Sequence, residues 1–440
     1  MTDVHMLEST ADSAIEANAA PVGIDLPAMG RTARAAGRKL ARLGTDQKNA
    51  AMLAIAAGLE AHAPEILSAN EQDLATARDR GIGDASLDRL SLQGKRLAGV
   101  IDDVRQVATL PDPVGEVIEA RTLPNGLRLS RRRTALGVLG VIYEARPNVT
   151  VDVATLAIKS GNAVILRGGS ETLHTNRALI AVIHDALRQT DVSPDSVQFI
   201  ASTDRRYIGE LLKLYQYVDL IIPRGGQALH QFCRENSTIP VITGGMGICH
   251  IYVEPSADPA AALRIIHNAK TQRPSTCNSL STLLVHEQIA ASFIPQVIAH
   301  LGASGVTFRA DPAALAISHN DPRVTAADDA AWDTEWLALI LGIRVVDSLE
   351  TALDHIETHS TAHSEAILTQ DMASAARFVD AVDSAAVYVN ASTRFTDGGQ
   401  FGLGAEIAVS TQKLQARGPM GLRELTSYKW IIEGDGQTRP

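Results

Sequence analysis

Apolar side chains along the first hundred residues return at helical spacing. Between Arg31 and about Val107 the series Leu53, Ile55, Leu59, Ile66, Leu67 and Leu74 marks one face, with breaks near Gly44 and Pro64, which predicts a helical N-terminal segment. Residues 1 to about 28 show no such period and carry Pro21 and Pro27, so a loosely ordered, flexible extension is expected there. At Thr122-Leu-Pro-Asn-Gly126 an Asn-Gly turn lies between strand-like runs ending in Leu127-Arg-Leu129 and Leu136-Gly-Val-Leu139, the signature of a β-hairpin.

From Val138 short apolar runs alternate with amphipathic stretches. Strands are predicted at 138–143, 163–167, 197–201 and 218–222, with helices at 151–159, 175–189 and 206–212 between them. A second series begins near Ala257, with strands at 280–285, 343–346 and 386–390 and helices at 289–301 and 349–359. Strands alternating with helices over short connections mean parallel sheets covered by helices. The fold class is therefore α/β, with two α/β domains in series and a cleft between them. The chain shows no internal repeat and no low-complexity tract.

Composition narrows the function classes. At 440 residues the chain exceeds what one core usually supports, and a 4% aromatic content favours helices packed on sheets over a β-sandwich. A net charge of −10 argues against a nucleic acid or an anionic membrane as partner. The local exception, Arg131, Arg132 and Arg133, reads as a solvated guard on an edge strand. The first basic residue is Arg31 and no apolar run approaches the length of a membrane span, so neither a secretory leader nor an Arg-rich transit peptide is expected and the cytoplasm is. Three cysteines without a C-x-x-C pair argue against a disulfide framework or a thiolate metal site.

Each thiol must then be weighed alone. Cys277 lies in the polar string Gln272-Arg-Pro-Ser-Thr-Cys-Asn-Ser279, directly before an apolar strand. That setting suits an exposed, ionised nucleophile, with a plain loop thiol as the alternative. Cys249, in an apolar run that reads as a buried strand, and Cys233, on a helix, look structural. His355, His359 and His363 share a spacing that zinc uses, but no H-E-x-x-H base follows and Ser360-Thr361 end the helix; no metal is expected. Neither G-x-G-x-x-G nor a P-loop is present. Gly-rich turns at Arg167-Gly-Gly-Ser170 and Arg224-Gly-Gly226 place an arginine at the carboxyl edge of a sheet, where nucleotides bind.

Longer strings carry a resemblance. Gly140-Val-Ile-Tyr-Glu-Ala-Arg-Pro-Asn-Val149, Lys159-Ser-Gly-Asn-Ala-Val-Ile-Leu-Arg-Gly-Gly-Ser-Glu171, Ile221-Ile-Pro-Arg-Gly-Gly226, Gln272-Arg-Pro-Ser-Thr-Cys-Asn278 and Gly418-Pro-Met-Gly-Leu-Arg-Glu-Leu-Thr-Ser-Tyr-Lys429 resemble the aldehyde dehydrogenase superfamily, from about residue 30 to about 433. The resemblance implies Cys277 as the nucleophile and NADPH as the cofactor. Arg167 matches a basic residue that contacts the adenosine ribose, with Gly168 and Ser170 following it. Gly225 and Gly226 match the turn near the pyrophosphate, although His230 replaces the second glycine of the pattern. Glu335 matches a glutamate that holds the nicotinamide ribose.

One departure is informative. Members that oxidise aldehydes to acids carry a glutamate upstream of the nucleophile that activates water, yet no Asp or Glu lies between Glu235 and Glu254, and Thr243 stands about where that base would be. A thioester kept for phosphate and hydride has no use for such a base. The resemblance thus implies the branch that reduces γ-glutamyl phosphate to glutamate 5-semialdehyde in proline biosynthesis. Implied oxyanion donors are the Cys277 N–H and Asn148, Arg146 meets the leaving phosphate, and Ser392 and Arg394 hold the amino-acid end. Expected domains are residues 29–121 with 136–254 for NADPH, 255–415 for catalysis, and 122–135 with 416–440 for oligomerisation. A homo-oligomer is implied, with glutamate 5-kinase as a candidate partner. The rival readings are an NAD-dependent aldehyde oxidase of the same superfamily and a non-catalytic protein that keeps the fold.

Overall fold

The computed structural model describes residues 23–439, so most of the expected N-terminal extension lies outside the described residues. Its last part is helical. Asp25 caps α1 (Leu26–Leu40) by accepting the Ala28 N–H at 2.9 Å, Pro27 sits in the first turn, and Leu26 is buried. Pro27 is thus a helix starter, because its missing N–H would have no partner there. Four helices follow: α2 (Thr45–Ala61), α3 (Ala63–Asp79), α4 (Asp84–Leu90) and α5 (Arg96–Thr109). Next comes the hairpin of β1 (Val117–Thr122) and β2 (Arg128–Ala135), which starts five residues earlier than the 122–135 element expected from the turn.

The first α/β unit comprises β3 (Val138–Tyr143), α6 (Asn148–Lys159), β4 (Ala163–Gly168), α7 (Leu173–Leu187), β5 (Val197–Phe199), α8 (Arg206–Leu211), β6 (Leu220–Arg224) and α9 (Gln227–Asn236). Its strands are parallel in the order β5-β4-β3-β6. Alternation sorts their side chains: Leu139, Val141, Val164 and Leu166 face Ile55, Val104 and Leu156, while Ile142, Ile165 and Ile221 face Ala33, Ile208 and Cys233. The order reverses between β3 and β6, so their carboxyl ends open a crevice.

The second unit runs β7 (Cys249–Val253), α10 (Pro259–Thr271), β8 (Leu280–His286), α11 (Glu287–Gly302), β9 (Thr307–Ala310), α12 (Pro312–Ile317), β10 (Val324–Ala326), β11 (Ile340–Val346), α13 (Leu349–His359), β12 (Ser364–Leu368), α14 (Met372–Ala381) and β13 (Ala386–Val389). Its parallel order is β10-β9-β11-β8-β7-β12-β13. Because β7 is interior to this sheet, the expected division at 254/255 is displaced: the second sheet already includes residues 249–253. The chain then returns. β14 (Ala408–Ser410) and β15 (Gly418–Met420) form a ribbon whose Ala408 and Met420, with Ile407, Leu422 and Leu425, join the core of the first unit. Finally β16 (Thr426–Glu433) pairs with β2, giving a sheet ordered β1-β2-β16. β2 is therefore central, which corrects the edge-guard reading of Arg131 to Arg133. Arg133 Nε bonds Glu116 at 3.0 Å, and the Arg131 guanidinium lies 4.7 Å from the Tyr428 ring centre.

Candidate active site

Cys277 sits where α10 ends and β8 begins. Asp258 caps α10 at its start, and beyond its end the chain turns on itself: Thr276 Oγ1 donates to Arg273 O at 2.8 Å and to Asn278 Oδ1 at 3.0 Å. The amide of Asn278 donates to Thr396 O at 2.9 Å and to Arg394 O at 3.3 Å, while Thr393 Oγ1 donates to Asn278 O at 2.7 Å. These bonds lock the nucleophile loop to the loop after β13, which carries Ser392 and Arg394. Beneath them, a Cβ on Gly247 would stand 1.4 Å from Cys277 O, so only glycine permits this approach. The Gly247 N–H donates to Glu335 Oε1 at 2.8 Å, and the Cys249 thiol donates to Cys277 O at 3.2 Å.

Cys277 is partly exposed, and its surroundings bear on the expected ionised nucleophile. Burial pushes the Cys277 thiol up to about 11, with the Glu406 and Glu335 carboxylates adding to the rise and Arg224 and Arg146 opposing it. Desolvation and the two carboxylates thus outweigh the arginines and disfavour the thiolate. Those arginines are crowded. Burial, then Arg224, Arg89 and Arg273, bring Arg146 down to about 10, and Arg394 is lowered by burial while the Cys277 charge opposes the shift. Arg89 Nη2 donates to Ser275 O at 3.0 Å and Arg394 Nε to Gln272 Oε1 at 2.8 Å. Arg273 was legible as a cation four residues from the thiol and Arg224 as the end of a strand motif, whereas no motif marks Arg89, which comes from a distant helix. Asn148 opens α6 and spends one amide hydrogen on Asp152 Oδ2 at 2.9 Å; burial pushes Asp152 up to about 7. Ser392 is buried and its Oγ accepts from Arg394 N.

The sheet crevice carries the remaining residues. Arg167 is the last but one residue of β4 and is buried, with Nη2 donating to Thr203 O at 3.2 Å and Nε left without a partner. An orphaned guanidinium N–H at a strand end fits an oxygen-rich ligand. Gly168 packs so closely on Asn176 and Tyr143 that no Cβ fits. Ser170 is exposed, and the neighbouring Glu171 is tied to the Ala145 N–H at 2.6 Å. Gly225 is hemmed in by Glu144, whose Oε2 also accepts the Gly226 N–H at 3.1 Å. A cleft nearby is lined by His230, Thr243, Gly244, Met246, Thr361 and Thr411. The chain thus forms two groups: Arg146, Arg394 and Glu335 about the Cys277 thiol, and Arg167, Gly168 and Ser170 at the carboxyl end of β4.

The α13 histidines go elsewhere. Arg344 Nη1 donates to His355 Nδ1 at 2.9 Å, His359 meets Asp333 at 2.8 Å, and His363 lies past the helix end against Ser364. Among the described residues no group of three His, Cys, Asp or Glu is arranged to hold a metal ion.

A nucleophile loop between two parallel α/β units is the arrangement of the aldehyde dehydrogenase family, whose model matches residues 16–314. The chain belongs to the aldehyde dehydrogenase family and is an oxidoreductase of it, a class that uses a nicotinamide cofactor and a small-molecule substrate. Within that family it is similar to a γ-glutamyl phosphate reductase of Escherichia coli (strain SMS-3-5 / SECEC), 58% identical over 411 residues, covering 93% of this chain and 99% of that protein. It is also similar to the crystal structure of γ-glutamyl phosphate reductase from Thermotoga maritima, with 46% identity and a TM-score of 0.92 over 95% of this chain and 100% of that one. An acetylating aldehyde dehydrogenase from Geobacillus thermoglucosidasius, at 17% identity and a TM-score of 0.69 over 94% of this chain and 98% of that one, shares the fold.

Proposed function

We propose that this protein reduces γ-glutamyl phosphate to glutamate 5-semialdehyde and phosphate, with NADPH, through a thioester on Cys277, in the cytoplasm, as a step of proline biosynthesis. The observation that carries the reading is the gathering of arginines at the nucleophile loop: Arg146, Arg224 and Arg394 act on the thiol, Arg89 bonds Ser275 O two residues before it, and Arg273 bears on Arg146 and Arg394. A substrate with a phosphate at one end and a carboxylate at the other suits that much positive charge, and guanidinium binds both groups in pairs of hydrogen bonds. The Escherichia coli and Thermotoga maritima relatives named above are γ-glutamyl phosphate reductases.

Cys277 attacks the acyl carbon and phosphate leaves. Arg146 neutralises the departing phosphate, and Arg394 with Ser392 holds the α-carboxylate. The Cys277 N–H and the second amide hydrogen of Asn148 meet the oxyanion, with Asn148 oriented by Asp152. When bound, NADPH supplies the hydride that reduces the thioester. Arg167, Gly168 and Ser170 would hold its adenosine end, Gly225 and Gly226 its pyrophosphate, and Glu335 its nicotinamide ribose. Thr243 in place of a carboxylate spares the thioester from hydrolysis, which sets this reading apart from aldehyde oxidation. The protein acts as a homo-oligomer, and the glutamate 5-kinase that would make the substrate is the partner reading that goes with it.

The test runs the reaction backward. NADP⁺ reduction by glutamate 5-semialdehyde should depend strictly on inorganic phosphate and vanish in Cys277→Ala. Formation of glutamate without phosphate would replace this reading by aldehyde oxidation.

A further inference from the structure

Cys249 reads from the sequence as a buried structural thiol, yet it bonds the nucleophile residue directly. It opens β7, is fully buried, and its Sγ donates to Cys277 O at 3.2 Å. Among the described residues no other donor reaches that oxygen. Two local features bring the pair together. Gly247, two residues before Cys249, lies so close to Cys277 O that any side chain there would collide with it. The pairing of β7 with β8 also shifts between Cys249 and His250, an irregularity of the kind that re-aims a side chain.

The residue after the nucleophile is tied elsewhere. Asn278 O accepts from Thr393 Oγ1 and the Asn278 amide donates to Thr396 O, both on the loop after β13. Thr396 Oγ1 meets Ser364 Oγ at 2.6 Å, and Ser364 Oγ meets His363 Nδ1 at 2.8 Å. His363 Nδ1 in turn lies 4.0 Å from Cys249 Sγ. The contacts close into a ring about the Cys277–Asn278 peptide, and Cys249, His363, Ser364, Thr396 and Asn278 are all buried. Within that ring Cys249 is the member that holds the carbonyl of the nucleophile itself.

We propose that Cys249 is a positioning residue for Cys277, an inference that rests on the thioester reading above. Its S–H fixes the Cys277 carbonyl, and with it the direction in which the reacting sulfur and the Cys277 N–H face, because all three groups radiate from one α-carbon. Burial, with Glu365, Cys277 and Glu335 adding to it, raises the Cys249 thiol well above its ordinary value, so it stays a donor. An S–H bond is weak and carries little stability, whereas a misplacement of about 1 Å at a reacting atom costs as much as about 100-fold in rate. The effect therefore belongs to turnover.

The experiment uses the full chain and four variants. Cys249→Ala and Cys249→Val remove the donor and respectively empty or fill its space, Cys249→Ser keeps a donor, and Cys233→Ala removes a buried thiol from the other side of the first sheet. Phosphate-dependent NADP⁺ reduction by glutamate 5-semialdehyde is measured for each, with Tm beside it. Cys249→Ala and Cys249→Val should lower kcat about tenfold or more, with KM for NADP⁺ within about twofold of wild type. Cys249→Ser and Cys233→Ala should keep kcat within about threefold of wild type. A thiol that only fills space gives the opposite order, with Val tolerated and Ser, a hydroxyl among packed side chains, the most damaging. That order, an equal loss in all three Cys249 variants, or kcat within about threefold of wild type in both Ala and Val overturns the proposal. Should Cys249→Ala not fold, the Val and Ser pair decides. Failure of the acyl-phosphate reading shows separately, as wild-type turnover that needs no phosphate, and the ranking of the variants is then read on that turnover.

Discussion

A guanidinium buried at a strand end has few ways to satisfy its nitrogens, and Arg167 leaves Nε open. Glu171 is held by the Ala145 N–H, and Ser170 beside it is exposed and uncharged. A 2′-phosphate would gain a charge-assisted hydrogen bond from Arg167, about 1.5–3 kcal/mol, or about tenfold and more in preference. We expect kcat/KM to favour NADPH over NADH by that factor, with Arg167→Ala and Ser170→Glu each narrowing the ratio. Equal use of the two cofactors by wild type would remove this segment from the 2′-phosphate. At this scale Cys277 was legible through a polar string before an apolar strand, whereas Arg89 was not. It reaches the nucleophile loop by bonding Ser275 O from a helix far away in the chain, and no local period records such a meeting.

Elements were legible where burial was purely apolar. The run 138–143 emerged with its bounds unchanged as β3, and 349–359 as α13. β12 was missed because its fully buried Glu365 breaks the apolar run; His250 N–H and Nδ1 satisfy that carboxylate at 2.6 and 3.0 Å. Helix α10 hides a similar exception. Lys270, 1% exposed, bonds Leu280 O at 2.9 Å, and burial brings its amine down to about 7. Above the ordinary lysine value the amine is neutral folded or unfolded, and stability is unaffected. As pH falls toward 7 the unfolded chain takes up a proton that the folded chain refuses, so stability declines and the loss is complete below about 7. Lys270→Met should flatten this part of the urea midpoint against pH, although the orphaned Leu280 carbonyl costs about 1–3 kcal/mol throughout. Parallel profiles for wild type and variant would show that Lys270 stays charged.

The molecule as a whole ends in a sheet that its own fold leaves incomplete. β16 pairs with β2 along one edge only, and Tyr428, Trp430 and Ile432 remain 48%, 42% and 57% exposed. They alternate along the strand and so share one face, where the Arg131 guanidinium lies over both rings. An unpaired edge beside aromatic and aliphatic side chains invites a second strand, and natural folds usually blunt such edges with charge or proline. The charges here do not guard it: Arg131 and Arg133 engage Glu119 and Glu116 within the hairpin. The sheet also grows from the segment that closes the first core, Leu422 and Leu425 being part of it, so a partner docked on β16 would be anchored firmly to the catalytic body. A second copy of this chain is the occupant that the proposed homo-oligomer requires. Light scattering at micromolar concentration should give a multiple of 46.8 kDa, and Trp430→Glu combined with Ile432→Lys should bring the mass down to that of one chain. Cys277 alkylation should persist in the double variant, since β16 takes no part in the nucleophile loop. A wild-type mass of a single chain, or an assembly untouched by the two substitutions, would mean that this edge stays in water.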